Sequence, residues 1–146
     1  MGLRTRADRG RSRVRLGRVA TLADVMRTEF IAVAPEDTLG EVAQRMVEEG
    51  KGGAVVVKDF GRLIGILTER DLLKAMAGRV HTSDARVREW MTPDPVTAPP
   101  EMPLEEAQRI MLDRNFRHLP VVEGERLVGV VSLRRIVGAL QPESAA

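Results

Sequence analysis

The 146 residues carry an internal duplication, which limits the possible folds more than composition does, because both copies must build the same local structure. An offset of 65 places Met26 on Met91, Ile31 on Val96, Pro35 on Pro100, Glu36 on Glu101, Leu39 on Leu104, Glu41 on Glu106, Met46 on Met111 and Val57 on Val122. One residue then drops out where Lys58-Asp59-Phe60-Gly61 faces Glu123-Gly124-Glu125. From there the offset is 64, with Arg62 on Arg126, Leu63 on Leu127, Gly65 on Gly129, Thr68 on Ser132 and Arg70 on Arg134.

Each copy predicts the order β-α-β-β-α behind a short helical lead. The leads are Leu22–Met26 and Val87–Met91, followed by brief strands over Phe30–Val33 and Pro95–Ala98. Leu39, Val42, Ala43, Met46 and Val47 share one helical face, as do Leu104, Ala107, Ile110 and Met111. Thr38 supplies cap chemistry to the first of these helices, and Gly50 and Asn115 stand where a left-handed terminator is wanted. Strands are expected over Ala54–Val57, Leu63–Leu67, Leu119–Val122 and Leu127–Val131, with final helices over Glu69–Met76 and Leu133–Leu140. The fold class is α/β, or α+β in a scheme that separates the two. Residues 1–18 form a tail, 19–80 the first repeat and 81–146 the second, joined by a connector over Ala77–Asp84. A lone three-stranded sheet with two helices buries its apolar face poorly, so the copies are expected to pack as one pseudo-twofold domain.

Charge is unevenly spread. Residues 1–18 hold seven arginines and one acid, so the net charge of +2 and the basic character belong to the tail, while the body is mildly acidic. Such a run binds phosphate-rich surfaces by electrostatics, or simply solubilises a disordered extension. The chain has no cysteine, so disulfides, a thiolate nucleophile and a zinc–thiolate site are excluded. No apolar run reaches the roughly 20 residues of a membrane helix, and the N-terminus lacks a secretory h-region, which predicts a cytoplasmic protein. With two histidines, no P-loop, no dinucleotide fingerprint and no Gly-x-Ser-x-Gly elbow, the sequence predicts no enzyme, no metal site and no required cofactor.

The chemistry lies in Gly65 to Asp71. The strand-to-helix passage at Thr68 leaves backbone N–H groups open to an anion or hydroxyl. Asp71 can accept from two vicinal ribose hydroxyls, Thr68 can bond ribose or phosphate, Arg70 can reach phosphate, and Gly65 admits close approach of a base. The same Thr-x-x-Asp is also a capping box, and the two roles are compatible.

In this order and twice over, the motifs resemble a tandem pair of CBS (cystathionine β-synthase) domains, a Bateman module. The resemblance is carried by Asp24-Val25-Met26, Gly61 to Leu72, Glu89-Trp90-Met91-Thr92, Arg117 to Val122 and Gly129 to Arg135, over about Val19 to Leu140. It implies clefts between the sheets that hold adenine nucleotides or related adenosyl compounds, a homodimer, and a sensor role toward a regulated enzyme or transporter. It adds Arg117 and His118 as phosphate contacts, against the plainer readings of a surface charge and a half-buried hydrogen-bonded histidine. Base contacts are placed at Thr28 to Ile31 and at Ile66. Asp71 is replaced by Arg135 in the second copy, and arginine cannot accept from ribose. One good site per chain follows, with a weaker phosphate-attracting site at Ser132, Arg134 and Arg135, and Lys51 nearby. AMP is the first expectation, with ADP, ATP and S-adenosylmethionine open. The competing function is a dimerisation scaffold whose arginine tail binds nucleic acid.

Overall fold

The computed structural model describes residues 19–50 and 53–141, so the arginine tail and Lys51 lie outside the described residues. The first repeat contains helix α1 (Leu22–Val25), strand β1 (Ala32–Val33), α2 (Leu39–Glu49), β2 (Ala54–Asp59), β3 (Arg62–Thr68) and α3 (Glu69–Ala77). The second contains α4 (Val87–Trp90), β4 (Thr92–Pro93), α5 (Leu104–Arg114), β5 (His118–Glu123), β6 (Arg126–Ser132) and α6 (Leu133–Leu140).

Local chemistry sets these boundaries. Thr38 caps α2 by accepting from the Glu41 N–H at 3.1 Å, while the Glu41 carboxylate accepts from the Thr38 N–H and hydroxyl, each at 2.9 Å. Gly50 and Asn115 end α2 and α5 in the left-handed region, at φ 65° and 59°. The strand expected over Phe30–Val33 shrinks to β1. The one expected over Pro95–Ala98 is reduced to a single parallel bridge from Ala98 to Val121. Pro95, Pro99 and Pro100 have no N–H to give a ladder.

The chain divides into two compact units, and they do not follow the boundaries of the repeats. One unit contains residues 29–96 with 125–127; the other contains the described residues up to Thr28 with 97–124 and 128–141. In the first, β1 runs parallel to β2, β2 antiparallel to β3, and β3 antiparallel to β4. Its core gathers Ile31, Val33, Leu39, Val42, Met46, Val57, Leu67, Ala75, Ala85 and Val87. In the second, the β5–β6 hairpin is flanked by the Ala98 bridge on one side and an antiparallel bridge from Arg27 to Val130 on the other. Leu22, Leu104, Met111, Leu119 and Ile136 are fully buried there. Each such side chain contributes about 1.5–3 kcal/mol.

The lead of each repeat thus belongs to the other repeat's unit, and the hydrogen bonds are reciprocal. Leu22 N–H donates to Met102 O and Ala23 N–H to Pro100 O, each at 3.0 Å, just as Val87 N–H donates to Asp37 O and Arg88 N–H to Pro35 O at 2.9 Å. Leu104 N–H reaches Ala20 O, as Leu39 N–H reaches Ala85 O.

The geometry also moves the missing residue. The offset of 65 holds through the matched caps Gly50 and Asn115. Beyond them, Glu69 N–H donates to Gly53 O and Leu133 N–H to Arg117 O, both at 2.8 Å, which fixes an offset of 64 for both partners. The parallel pairs Val33–Val57 and Ala98–Val121 agree. The gap therefore falls between helix cap and strand, where the first repeat has Lys51-Gly52 and the second Phe116, and not in the hairpin turn. A register slip would turn every strand side chain to the wrong face, whereas a connecting loop absorbs a residue at little cost.

Candidate functional site

Thr68 ends β3 and caps α3. Its N–H and its hydroxyl both donate to Asp71 Oδ2, at 2.8 and 3.1 Å, and its hydroxyl accepts the Asp71 N–H at 3.3 Å. The capping box anticipated from the sequence is therefore formed, and both residues are only half-buried. Beside it, Gly53 N–H donates to Glu69 Oε1 at 2.7 Å while Glu69 N–H returns a bond to Gly53 O. This pair fastens the start of β2 to the start of α3.

The box uses one oxygen of Asp71 and leaves the other as an acceptor. Glu69 and Asp71 already place two carboxylates at the positive end of α3. The helix start therefore favours hydroxyl donors over a bare phosphate. Arg70, one residue away and exposed, supplies the positive charge that a phosphate nearby would need.

Thr68, Arg70, Asp71, Ile66 and Ile31 belong to the same compact unit. Ile31 is 2% exposed and packs in the helix-covered core, so its side chain is unavailable to a base. Ile66 pairs with Val56 and Thr92 in the sheet, on the face opposite the core residues Val57 and Leu67. Gly65 is occupied differently from the expectation that a base approaches it. A Cβ there would lie 2.5 Å from Met91 Sδ and 3.0 Å from Thr92 O, so the glycine makes room for the exchanged lead. Gly129 repeats this against Met26 and Arg27. The signal was present in the sequence as glycine and methionine recurring together.

Thr28, Arg117, His118, Ser132, Arg134 and Arg135 belong to the other unit. Thr28, Arg117 and Arg134 are exposed, and Arg117 O receives the Leu133 N–H. His118 opens β5, half-buried. With the gap relocated, Arg117 and His118 correspond to Gly53 and Ala54 rather than to Gly52 and Gly53, and the first repeat still has no charge at these positions. Ser132 caps α6 by accepting the Arg135 N–H at 3.2 Å, but the Arg135 side chain leaves the cap: its Nε donates to Val25 O. Sequence reasoning did not anticipate this partner. Among the described residues, no three His, Asp or Glu side chains cluster to hold a metal, and no helix is long and apolar enough to cross a membrane.

The CBS domain profile matches residues 22–78 and 87–142. The CBS domain-containing protein YhcV of Bacillus subtilis is 33% identical over 128 residues, covering 87% of this chain and 91% of its own. Among solved structures, the CBS domain pair of protein MJ0100 in complex with 5'-methylthioadenosine and S-adenosyl-L-methionine superposes with a TM-score of 0.73 at 25% identity, covering 82% of this chain and 94% of that one. The cytosolic domain of the Mg2+ channel MgtE in complex with ATP gives 0.69 at 32% identity, covering 82% of this chain and 48% of that one. These matches span both repeats, and the chain belongs to the CBS-domain family.

Proposed function

We propose that this protein is a regulatory module, not an enzyme, that binds an adenosyl compound at Thr68–Asp71 and passes the bound state to a partner enzyme or transporter. The observation that carries the reading is the capping box itself. It fixes the Asp71 carboxylate at a strand-to-helix passage while engaging one of its oxygens, so a rigid acceptor is left for ribose hydroxyls. Solved relatives that hold adenosyl compounds support the ligand class. Arg70, exposed beside the box, favours a ligand with phosphate, and AMP is the first choice among AMP, ADP, ATP and S-adenosylmethionine. Val47 on α2, Leu73 and Met76 on α3, and Leu112 on α5 are large, apolar and exposed, which supports a homodimer as the working form. No cofactor is required in this reading.

Thermal-shift and calorimetric titrations with these four compounds test it. A ligand at a hundredfold excess over its dissociation constant stabilises by about 2.7 kcal/mol, a melting shift on the order of 5–10 °C at this chain length. Asp71→Asn preserves a capping oxygen but loses the charge, so the ligand-induced shift collapses while the unliganded melting point moves little. If none of the four raises the wild-type melting temperature, the proposal fails.

A further inference from the structure

Gly53 and Glu69 are joined twice. Glu69 N–H donates to Gly53 O at 2.8 Å, and the Glu69 carboxylate accepts the Gly53 N–H through Oε1 at 2.7 Å. The second unit keeps the backbone half of this junction without the acid. There Leu133 N–H donates to Arg117 O, also at 2.8 Å, and a leucine side chain stands where Glu69 has its carboxylate. The strand-to-helix junction thus forms without a carboxylate, and holding it together does not account for Glu69.

The position of the charge gives a second role. A backbone N–H beside a helix start is a ready donor to phosphate, and Glu69 fills the one at Gly53 with the protein's own anion. The bond also fixes the carboxylate in place, although the residue is exposed. Glu69 and Asp71 share the first turn of α3. A phosphate carried by a ribose on Asp71 therefore stands within a Debye length of Glu69, about 10 Å at 0.1 M salt. Arg70 is the one cation of that turn and can offset a single phosphate group. A longer phosphate chain brings further negative charge toward Glu69, with no second cation in the turn to meet it.

We propose that Glu69 is a specificity-determining residue that makes the site select AMP over ATP, by occupying a phosphate donor and repelling a longer phosphate chain. This inference rests on the reading of Thr68–Asp71 as the ribose site. It adds discrimination by charge, since ribose and base are the same in both nucleotides.

Calorimetric titration of the full chain with AMP, ATP and 5'-methylthioadenosine, in magnesium-free buffer at low and high salt, provides the test. Glu69→Gln keeps an oxygen for the Gly53 N–H and removes the charge, whereas Glu69→Ala also frees that N–H. Wild type is expected to bind AMP more tightly than ATP. Glu69→Gln narrows this preference by about threefold to fivefold at low salt, the scale of a screened surface charge pair, and by less at high salt. Glu69→Ala narrows it at least as far. The methylthio compound has the ribose hydroxyls and no phosphate, so it binds wild type and Glu69→Gln alike. A purely structural Glu69 would instead weaken all three ligands together in Glu69→Ala and be rescued in Glu69→Gln, with the AMP-to-ATP ratio unmoved. That pattern, equal binding of AMP and ATP by wild type, or a change in ratio that ignores salt overturns the role of Glu69 and leaves the ribose reading standing. No binding of any of the three to wild type overturns both. If Glu69→Ala does not fold, Glu69→Gln decides alone.

Discussion

Two glycines show how closely single residues are set by the exchanged leads. At Gly65 and Gly129 a methyl group would press into a methionine sulfur, which can swing aside, and onto a backbone carbonyl at 3.0 Å, which cannot without disturbing a strand pair. Overpacking of this kind costs about 1–3 kcal/mol, so Gly65→Ala and Gly129→Ala each lower the urea midpoint by a corresponding amount. Gly138 offers the contrast. It lies within α6, is exposed, and a Cβ there meets nothing within 4 Å. Gly138→Ala therefore gains about 0.5–1 kcal/mol from helix propensity and a less flexible unfolded chain. Should all three alanine variants shift together, close packing against the leads is not what holds Gly65 and Gly129.

At the scale of elements, the long helices α2 and α5 keep their ends and vary their starts, whereas α3 and α6 keep a hydroxyl cap at the start and end differently. Both long helices stop in a left-handed residue, but α2 begins with a Thr38–Glu41 box and α5 with Pro103, which has no side-chain acceptor. Cap residues, apolar faces and turn glycines are local signals, so the main helices and hairpins were legible in the sequence to within a residue or two. The partner of each lead was not, since a five-residue segment carries no mark of which hairpin it will edge. Likewise Thr68 and Asp71 could be read from spacing alone, whereas the Arg135–Val25 bond joins residues 110 apart and has no local trace. The α2 cap has a pH signature. Hydrogen bonds from the Thr38 backbone and hydroxyl, with the Arg86 charge adding, hold the Glu41 carboxyl below the usual glutamate range. A depressed folded value means that the contribution is complete above the unfolded value, about 4.3, and disappears as pH falls through the folded one. Urea midpoints of wild type and Glu41→Gln therefore differ at neutral pH and converge as the carboxyl is titrated; a gap that stays constant down to the acid limb would assign the effect to shape rather than charge.

On the scale of the whole molecule, the sequence repeat and the folding unit are different objects. A cut at residue 80 keeps each repeat intact but removes α4 from its unit and β4 from the sheet it completes. Residues 19–80 would then lose the β3 partners of Gly65 and Ile66, the Val87 and Ala85 side chains from the core, and the carbonyl of Ala85 that caps Leu39 N–H. A fragment of residues 29–96 retains all of these and all four strands of its sheet. It lacks only α1 and its flanks, which pair elsewhere, and the short 125–127 segment. Burial of two side chains, each worth roughly 1–2 kcal/mol, together with a lost strand edge, is comparable to the whole stability expected of so small a domain. The 29–96 fragment is accordingly expected to give a cooperative thermal transition and dispersed amide resonances, and the 19–80 fragment neither. Equal cooperativity of the two fragments would mean that the leads dock onto units already folded, and that the exchange between repeats adorns the fold without building it.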